Sequence, residues 1–214
     1  MKILFYDLKT TGINPEKSGI YELTAILVNM DINNVSSELT RFNLKINSLT
    51  LNKEYDNKIL KANNITIEEI KQYKDSQIQF KEFCNILDKY CDRYNTVDKI
   101  LLCGYNNLHF DNQFLRNWFI DNNNNYFGSY FWSNSIDVLS ETSRYLFHYR
   151  PALKNFQLKT VAKTLNINFD NILNDEFFEI QLTMEIYLYL ISKPLFKIWD
   201  EIEATNIYKN NYLK

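Results

Sequence analysis

Three short stretches hold the residues with chemical potential. "FYDLKTTG" (5–12) sets Asp7 at the end of an apolar run, followed by Lys9 and a Thr10-Thr11-Gly12 turn. "GYNNLHFDNQFL" (104–115) holds Tyr105, Asn106, Asn107, His109, Phe110 and Asp111. "NDEFFEIQLT" (174–183) holds Asn174, Asp175, Glu179 and Thr183. Carboxylates are hard-oxygen ligands for small divalent cations, and an imidazole accepts protons, so the chemistry on offer is metal-assisted or acid–base. Plainer roles compete at each position. Asp7 precedes a turn and suits turn chemistry. Asn106 and Asn107 suit a strand end, and His109 suits a partly exposed packing position. Glu22, in "GIYEL", suits a supporting or loop-anchoring role. Asp175 lies four residues before Glu179 on one helix face, either as an exposed helix-start acid or as a replacement carboxylate.

The elements that must position these residues are legible in the apolar patterning. Residues 2–6, 19–30 and 35–46 read as strands joined by short polar loops, an antiparallel meander. "TIEEIKQY" opens on a capping box, Thr66 with Glu69. "SQIQFKEFCNILDKYCDRY" has Ile78, Phe80, Phe83, Ile86, Leu87 and Tyr90 on an amphipathic stripe. "KILLCGY" (99–105) is a short apolar strand after a helix, hence parallel to a neighbour. "DNQFLRNWFIDN", "SIDVLSETSRYLF", "QLKTVAKTLNI" and "NDEFFEIQLTMEIYLYLIS" read as helices, punctuated by Pro151 and Pro194. Residues 195–214 read as a terminal helical tail of the same domain, which spans 1–194. The pattern is an α/β domain with a mixed sheet.

The 214 residues, 45% hydrophobic and 23% charged, suffice for one large core without disulfide or metal. A formal net charge of -2 supplies no global basic field for nucleic acid. Cys84, Cys91 and Cys103 are odd in number with no CxxC pair, which suits core or half-exposed thiols, not zinc ligands, in a reducing, intracellular (cytoplasmic) setting. The N-terminus does not resemble a signal peptide, and no stretch is long and apolar enough to imply a membrane partner.

In order and spacing the three stretches resemble the motifs of the DEDD (DnaQ-like) superfamily of 3'-to-5' exonucleases. The second stretch is most similar to the bacterial exonuclease I branch, which digests single-stranded DNA. "ANNIT" (62–66) is similar to a turn that many members have before the capped helix. The resemblance spans residues 2 to about 192. It implies a ribonuclease H-like fold, with a five-stranded mixed sheet flanked by helices. In that family four carboxylates hold two Mg²⁺ ions about 4 Å apart, which activate a water and stabilise the leaving oxygen, and a histidine is the base.

Carried over position by position, the resemblance makes Asp7 and Asp111 intact metal ligands. It places Lys9 where a glutamate belongs. Counting back from Thr183, Glu179 replaces the last aspartate and Asn174 replaces the histidine. Asparagine takes no proton near neutral pH. Three carboxylates and one ammonium leave the site two charge units less negative than four carboxylates would. An ammonium and a carboxylate attract by about 4 kcal/mol at ~4 Å and an effective dielectric of ~20, so Lys9 is expected to pair with Asp7 or Asp111 in a metal's place. The resemblance also implies a 3'-end pocket of Thr10, Thr11, Gly12, Asn107 and Phe110.

From Thr142 to Phe169 there is no acid, while Arg144, Arg150, Lys154, Lys159 and Lys163 interleave with Tyr145, Phe147, Tyr149 and Phe156. That composition suits a single-stranded backbone with stacked bases, Arg150 and Lys154 foremost, or else core aromatics beneath a solvated cationic face. Three functions follow. One is a pseudo-exonuclease that binds nucleic-acid 3' ends with lost or much reduced hydrolysis. The second is an atypical but active exonuclease on single-stranded DNA or RNA, with Mg²⁺ or Mn²⁺ on Asp7, Asp111 and Glu179. The third is a scaffold subunit with a protein partner and no cofactor.

Overall fold

The computed structural model describes residues 1–31, 33–173 and 175–193. Its centre is β1 (Lys2–Thr10), which pairs antiparallel with β2 (Ile20–Met30), itself antiparallel to β3 (Ser36–Asn47). A two-residue β4 (Lys74–Asp75) lies parallel on the outer edge of β3. On its other side β1 runs parallel to β5 (Ile100–Gly104), and β5 runs parallel to β6 (Phe131–Asp137). The order is β4-β3-β2-β1-β5-β6.

The meander and the parallel β5 follow the sequence pattern. β2 is buried at every position except Asn29, as a near-continuous apolar run requires of a central strand. The mixed sheet carries six strands, where five were expected, because the short β4 adds an edge. Residues 135–137 of the expected "SIDVLSE" helix belong to β6. The helix starts only at Val138, because the Asp137 side chain accepts from the Leu139 and Ser140 amides and caps it there (2.9 and 3.2 Å).

Helices cover both sheet faces: α1 (Asn57–Ala62), α2 (Ile67–Lys71), α3 (Ser76–Asp88), α4 (Asp111–Asp121), α5 (Phe127–Tyr130), α6 (Val138–Tyr145), α7 (Leu158–Thr164) and α8 (Phe178–Ser192). Alternation along β1 splits its side chains between two cores. Leu4, Tyr6 and Leu8 pack with Phe80, Phe83 and Leu87 of α3 and Phe114, Leu115, Trp118 and Phe119 of α4. Ile3 and Phe5 face Val138, Val161, Ile180 and Ile186 of α6, α7 and α8. Asp7 and Lys9 continue that second face. The capping box forms as expected, with Thr66 Oγ1 accepting from the Glu69 amide and the Glu69 carboxylate from the Thr66 amide. Ile78 departs from its expected stripe and stays 60% exposed.

Cys91 and Cys103 are buried and Cys84 half-buried, all as free thiols. Burial pushes Cys84 up to about 12 and Cys91 to about 11. No described helix is long and apolar enough to cross a membrane. The expected tail, 195–214, lies outside the described residues.

Phe83 is fully buried against Phe42, Trp118 and Phe119, at ring separations of 6.0, 5.7 and 6.3 Å. Phe83→Ala should cost about 3–5 kcal/mol, read as a lower urea midpoint at unchanged slope.

Candidate active site

β1 outruns its parallel neighbour: pairing with β5 stops at Phe5 and Cys103. The open edge beyond receives α4. Asp111, its first residue, is 5% exposed, and its Oδ1 accepts the Leu8 amide at 3.2 Å. Glu179 stands exposed in the first turn of α8, where Thr183 Oγ1 donates to the Glu179 carbonyl at 2.7 Å. The three expected carboxylates thus share one electrostatic neighbourhood. Burial raises the Asp7 carboxyl well above its ordinary value, the charges of Asp111 and Glu179 add to the rise, and Lys9 opposes it. Burial likewise raises Asp111, to about 7, against the amides of Leu8 and of Asp111 itself, with Asp137 and Glu179 adding to the rise.

Lys9 does not take the expected partner. Its Nζ pairs with Glu22 Oε2 at 3.6 Å, directly across on β2, and Lys45 of β3 reaches Glu22 Oε1 from the other side at 2.5 Å. Asn43 Nδ2 donates to the same Oε1 at 3.0 Å. Burial would raise Glu22, but the Lys45 hydrogen bond, the two lysine charges and Asn43 outweigh it and hold the carboxyl below its usual range. Lys9 still favours the ionised form of Asp7 through space. Cross-strand register, not proximity along β1, decided its partner.

Asp7 and Asp111 are hard-oxygen donors of the kind a divalent cation takes, and the charge of Asp111 disfavours the ionised form of Asp7. Among the described residues no three His, Cys, Asp or Glu side chains converge as a ligand cluster.

The Thr-Thr-Gly turn is structural at its side chains. Thr10 Oγ1 donates to the Gly12 carbonyl (2.7 Å); Thr11 Oγ1 donates to the Glu54 carbonyl (2.6 Å) and accepts the Gly19 amide (3.0 Å). A Cβ on Gly12 would lie 2.1 Å from Ser18 Oγ, so any larger residue would displace the Ser18 side chain. The loop that follows is fastened by buried Lys53, which pairs with Asp121 at 2.7 Å and donates to the Glu16 carbonyl at 3.0 Å. Asn107 is fully buried beside Gly104, donates to Asn112 Oδ1 at 3.4 Å, and leaves its own Oδ1 without a described partner. Phe110 packs on Phe114, with ring centroids 4.8 Å apart. Neither threonine is free to present a hydroxyl to a ligand.

His109 is exposed, and its carbonyl accepts from Gln113. Asp175 accepts the Phe177 amide at 2.7 Å, as an acid at the start of a helix does. Tyr105 Oη donates to the Phe156 carbonyl at 2.6 Å and tethers the basic segment to the end of β5. Asn174 lies outside the described residues. In the basic segment Arg150 stacks on Phe156 at 4.9 Å and Lys154 is exposed. Lys159 lies over the Phe178 ring at 4.9 Å, beside Glu179. Tyr145, Tyr149 and Phe156 pack against the core, and Phe147 stands out at 66% exposure.

Two residues absent from the sequence reading hold the site together. Asp137 is 3% exposed, and besides capping α6 it accepts the amides of Asn106 (3.1 Å) and Leu108 (3.4 Å). Asn106 turns the chain there with φ 67°, a left-handed conformation asparagine tolerates. Asn112 accepts from Tyr6 Oη and donates to Ser135 Oγ at 2.7 Å, linking β1, α4 and β6. An aspartate before an apolar run is a helix-cap signal that could have flagged Asp137.

No family model matches the chain, and no curated protein matches it in sequence. Solved structures do match. E. coli exonuclease I in complex with a dT13 oligonucleotide aligns with 94% of this chain and 43% of its own, at 19% identity and a TM-score of 0.67. The ExoI/SSB-Ct complex aligns with 95% of this chain and 43% of its own, at 18% identity and a TM-score of 0.68. The zinc-bound form of the E. coli ExoI–ssDNA complex gives 95%, 43%, 19% and 0.67 in the same terms. The chain therefore has the ribonuclease H-like fold of these exonuclease structures, as its motifs implied, and spans less than half their length.

Two tests follow from the geometry. Asp137→Ala strips an acceptor from four amides and should cost about 3 kcal/mol, with faster hydrogen exchange at Asn106, Leu108, Leu139 and Ser140. Asp111 ionises near 3.8 when unperturbed and near about 7 here. The folded chain therefore holds that proton more tightly, and stability is lost as pH rises through that window. Asp111→Asn should remove the loss, gaining roughly 3 kcal/mol on wild type between pH 4 and 7. A pH-independent difference in urea midpoints would refute the assignment.

Proposed function

We propose that this chain is a degenerate exonuclease-like protein. It would bind the 3' end of single-stranded nucleic acid and hydrolyse it poorly or not at all. The observation that carries this reading is Lys9. It stands two residues from Asp7 on the same sheet face, held by Glu22, where the family resemblance calls for a metal-binding glutamate. Asn174 adds to it in sequence, since an amide cannot draw a proton from water. The solved neighbours include complexes with a dT13 oligonucleotide and with single-stranded DNA, which supports the ligand class.

The work left to the chain's own residues is binding. Asp111 is fixed against β1 by the Leu8 amide, and the turn at Gly12 is shaped by buried threonines. Asp7 and Asp111 are the residues that would hold Mg²⁺ or Mn²⁺. Such an ion would supply charge neutralisation at a phosphate and a more acidic water. We assign residues 1–194 to one exonuclease-like domain with 195–214 as its tail, and an intracellular, cytoplasmic setting suits its free thiols.

A second reading, an atypical but active exonuclease, draws support from the charges of Asp111 and Glu179 acting together on Asp7. One experiment separates the two. The pure protein is incubated with 5'-labelled single-stranded DNA or RNA in Mg²⁺, Mn²⁺ or EDTA, beside Asp7→Ala. The expected outcome is an intact strand in every metal, with retention on a native gel. A metal-dependent ladder shrinking from the 3' end, absent from Asp7→Ala, would establish the second reading instead.

A further inference from the structure

Three adjacent strands place one charged side chain each in a single row of the sheet. Lys9 of β1 is in register with Glu22 of β2, and Glu22 with Lys45 of β3. The carboxylate is 9% exposed at its side chain, while the flanking lysines are 44% and 43% exposed. A buried carboxylate needs one cation to pair with, and this one has two. Its oxygens are divided between them, Oε1 to Lys45 and Oε2 to Lys9, and Asn43 adds a neutral donor to Oε1.

The consequence is a pair of half-exposed ammonium groups around one carboxylate, a net of one positive charge within the row, beside Asp7, on which Lys9 acts through space, and Glu176, to which Asn43 Nδ2 also donates at 3.4 Å. Each ammonium has three donors; Lys45 is at hydrogen-bond distance from Glu22, at 2.5 Å, while Lys9 at 3.6 Å is held as an ion pair. Both lysine side chains are half-exposed, which leaves donors open to a ligand. A phosphodiester carries one negative charge on two non-bridging oxygens, which matches a surplus of one charge and two separate donors. The row is also well placed. The Leu8 amide that holds Asp111 points away from β2, so Asp111 lies on the β5 side of β1, and the row extends to the opposite side.

We propose that Lys9 and Lys45, set side by side on Glu22, form a metal-independent seat for a backbone phosphate of a bound single strand. This rests on the 3'-end-binding reading and gives that reading its contact. Lys9 is then a change of recognition chemistry, from metal-bridged to direct.

The test is fluorescence anisotropy with short labelled oligothymidylate and oligouridylate in EDTA, across a series of salt concentrations. Wild type should bind both without metal. Lys45→Ala should weaken both about fivefold at ~0.1 M salt and lower the salt slope by ~0.7, as loss of one phosphate contact requires. Lys45→Arg should restore binding, and Lys9→Ala should reproduce the loss. Thermal melting confirms that each variant is folded. Wild-type binding with unchanged affinity and slope in Lys45→Ala overturns the seat and leaves 3'-end binding standing. A loss confined to one polymer points to sugar or base contacts and also overturns it. Binding that appears only with Mg²⁺ refutes metal independence, and no binding under any condition fails both readings.

Discussion

The parallel pairing of β1 with β5 ends at Phe5, while β1 itself runs on to Thr10. Beyond that point the strand has one open edge in the interior of a layered fold, and open-edge amides there must find acceptors. Asp111 supplies one, at the Leu8 amide. The first turn of α4 is thereby drawn against the strand, and its carboxylate acts on Asp7. Gly104 makes the approach possible, because a Cβ there would meet the Tyr6 carbonyl at 3.0 Å and Asn107 at 2.9 Å. The acidic neighbourhood is thus a consequence of how one strand ends.

Holding that arrangement takes buried polar groups in connected sets. Asp137 ties the turn after β5 to the start of α6, and Asn112 ties β1 to β6 through Tyr6 and Ser135. Each buried acceptor that serves several donors fixes more geometry than an apolar contact of the same size, because its partners have defined directions. Asp111 is the exception in energy: burial and neighbouring acids outweigh its amides, and its carboxyl rises to about 7. The fold therefore carries a local cost at the position that the resemblance marks as functional, where such costs are expected to collect.

What the sequence made legible follows from how local each signal is. β1, β2 and β5 are apolar on both faces and announce themselves as runs, and Thr66 with Glu69 states its own helix start. Asp7, Asp111 and Glu179 were legible as one group because motif order and spacing carry the topology with them. β6 was hidden because Ser133, Asn134 and Ser135 interrupt it on an exposed stretch, and Ile136-Asp137-Val138-Leu139 continues as a helical pattern. The partner of Lys9 was hidden for a different reason. Glu22 and Lys45 reach it only through cross-strand register, with bulges at Lys9/Thr10 and Leu27/Val28 that no residue type announces.

A lysine set beside Asp7 would be costly if it had no partner and had to be desolvated. The sheet already provides Glu22, so a lysine at this position costs the fold little. Yet Glu22 is neutralised by Lys45 alone at 2.5 Å, closer than Lys9 at 3.6 Å. A half-exposed second ion pair contributes little to stability. Folding therefore does not require Lys9, while its charge is held in a fixed place beside the carboxylates. A cation that the fold accommodates without needing is what a direct contact to an anionic backbone would use.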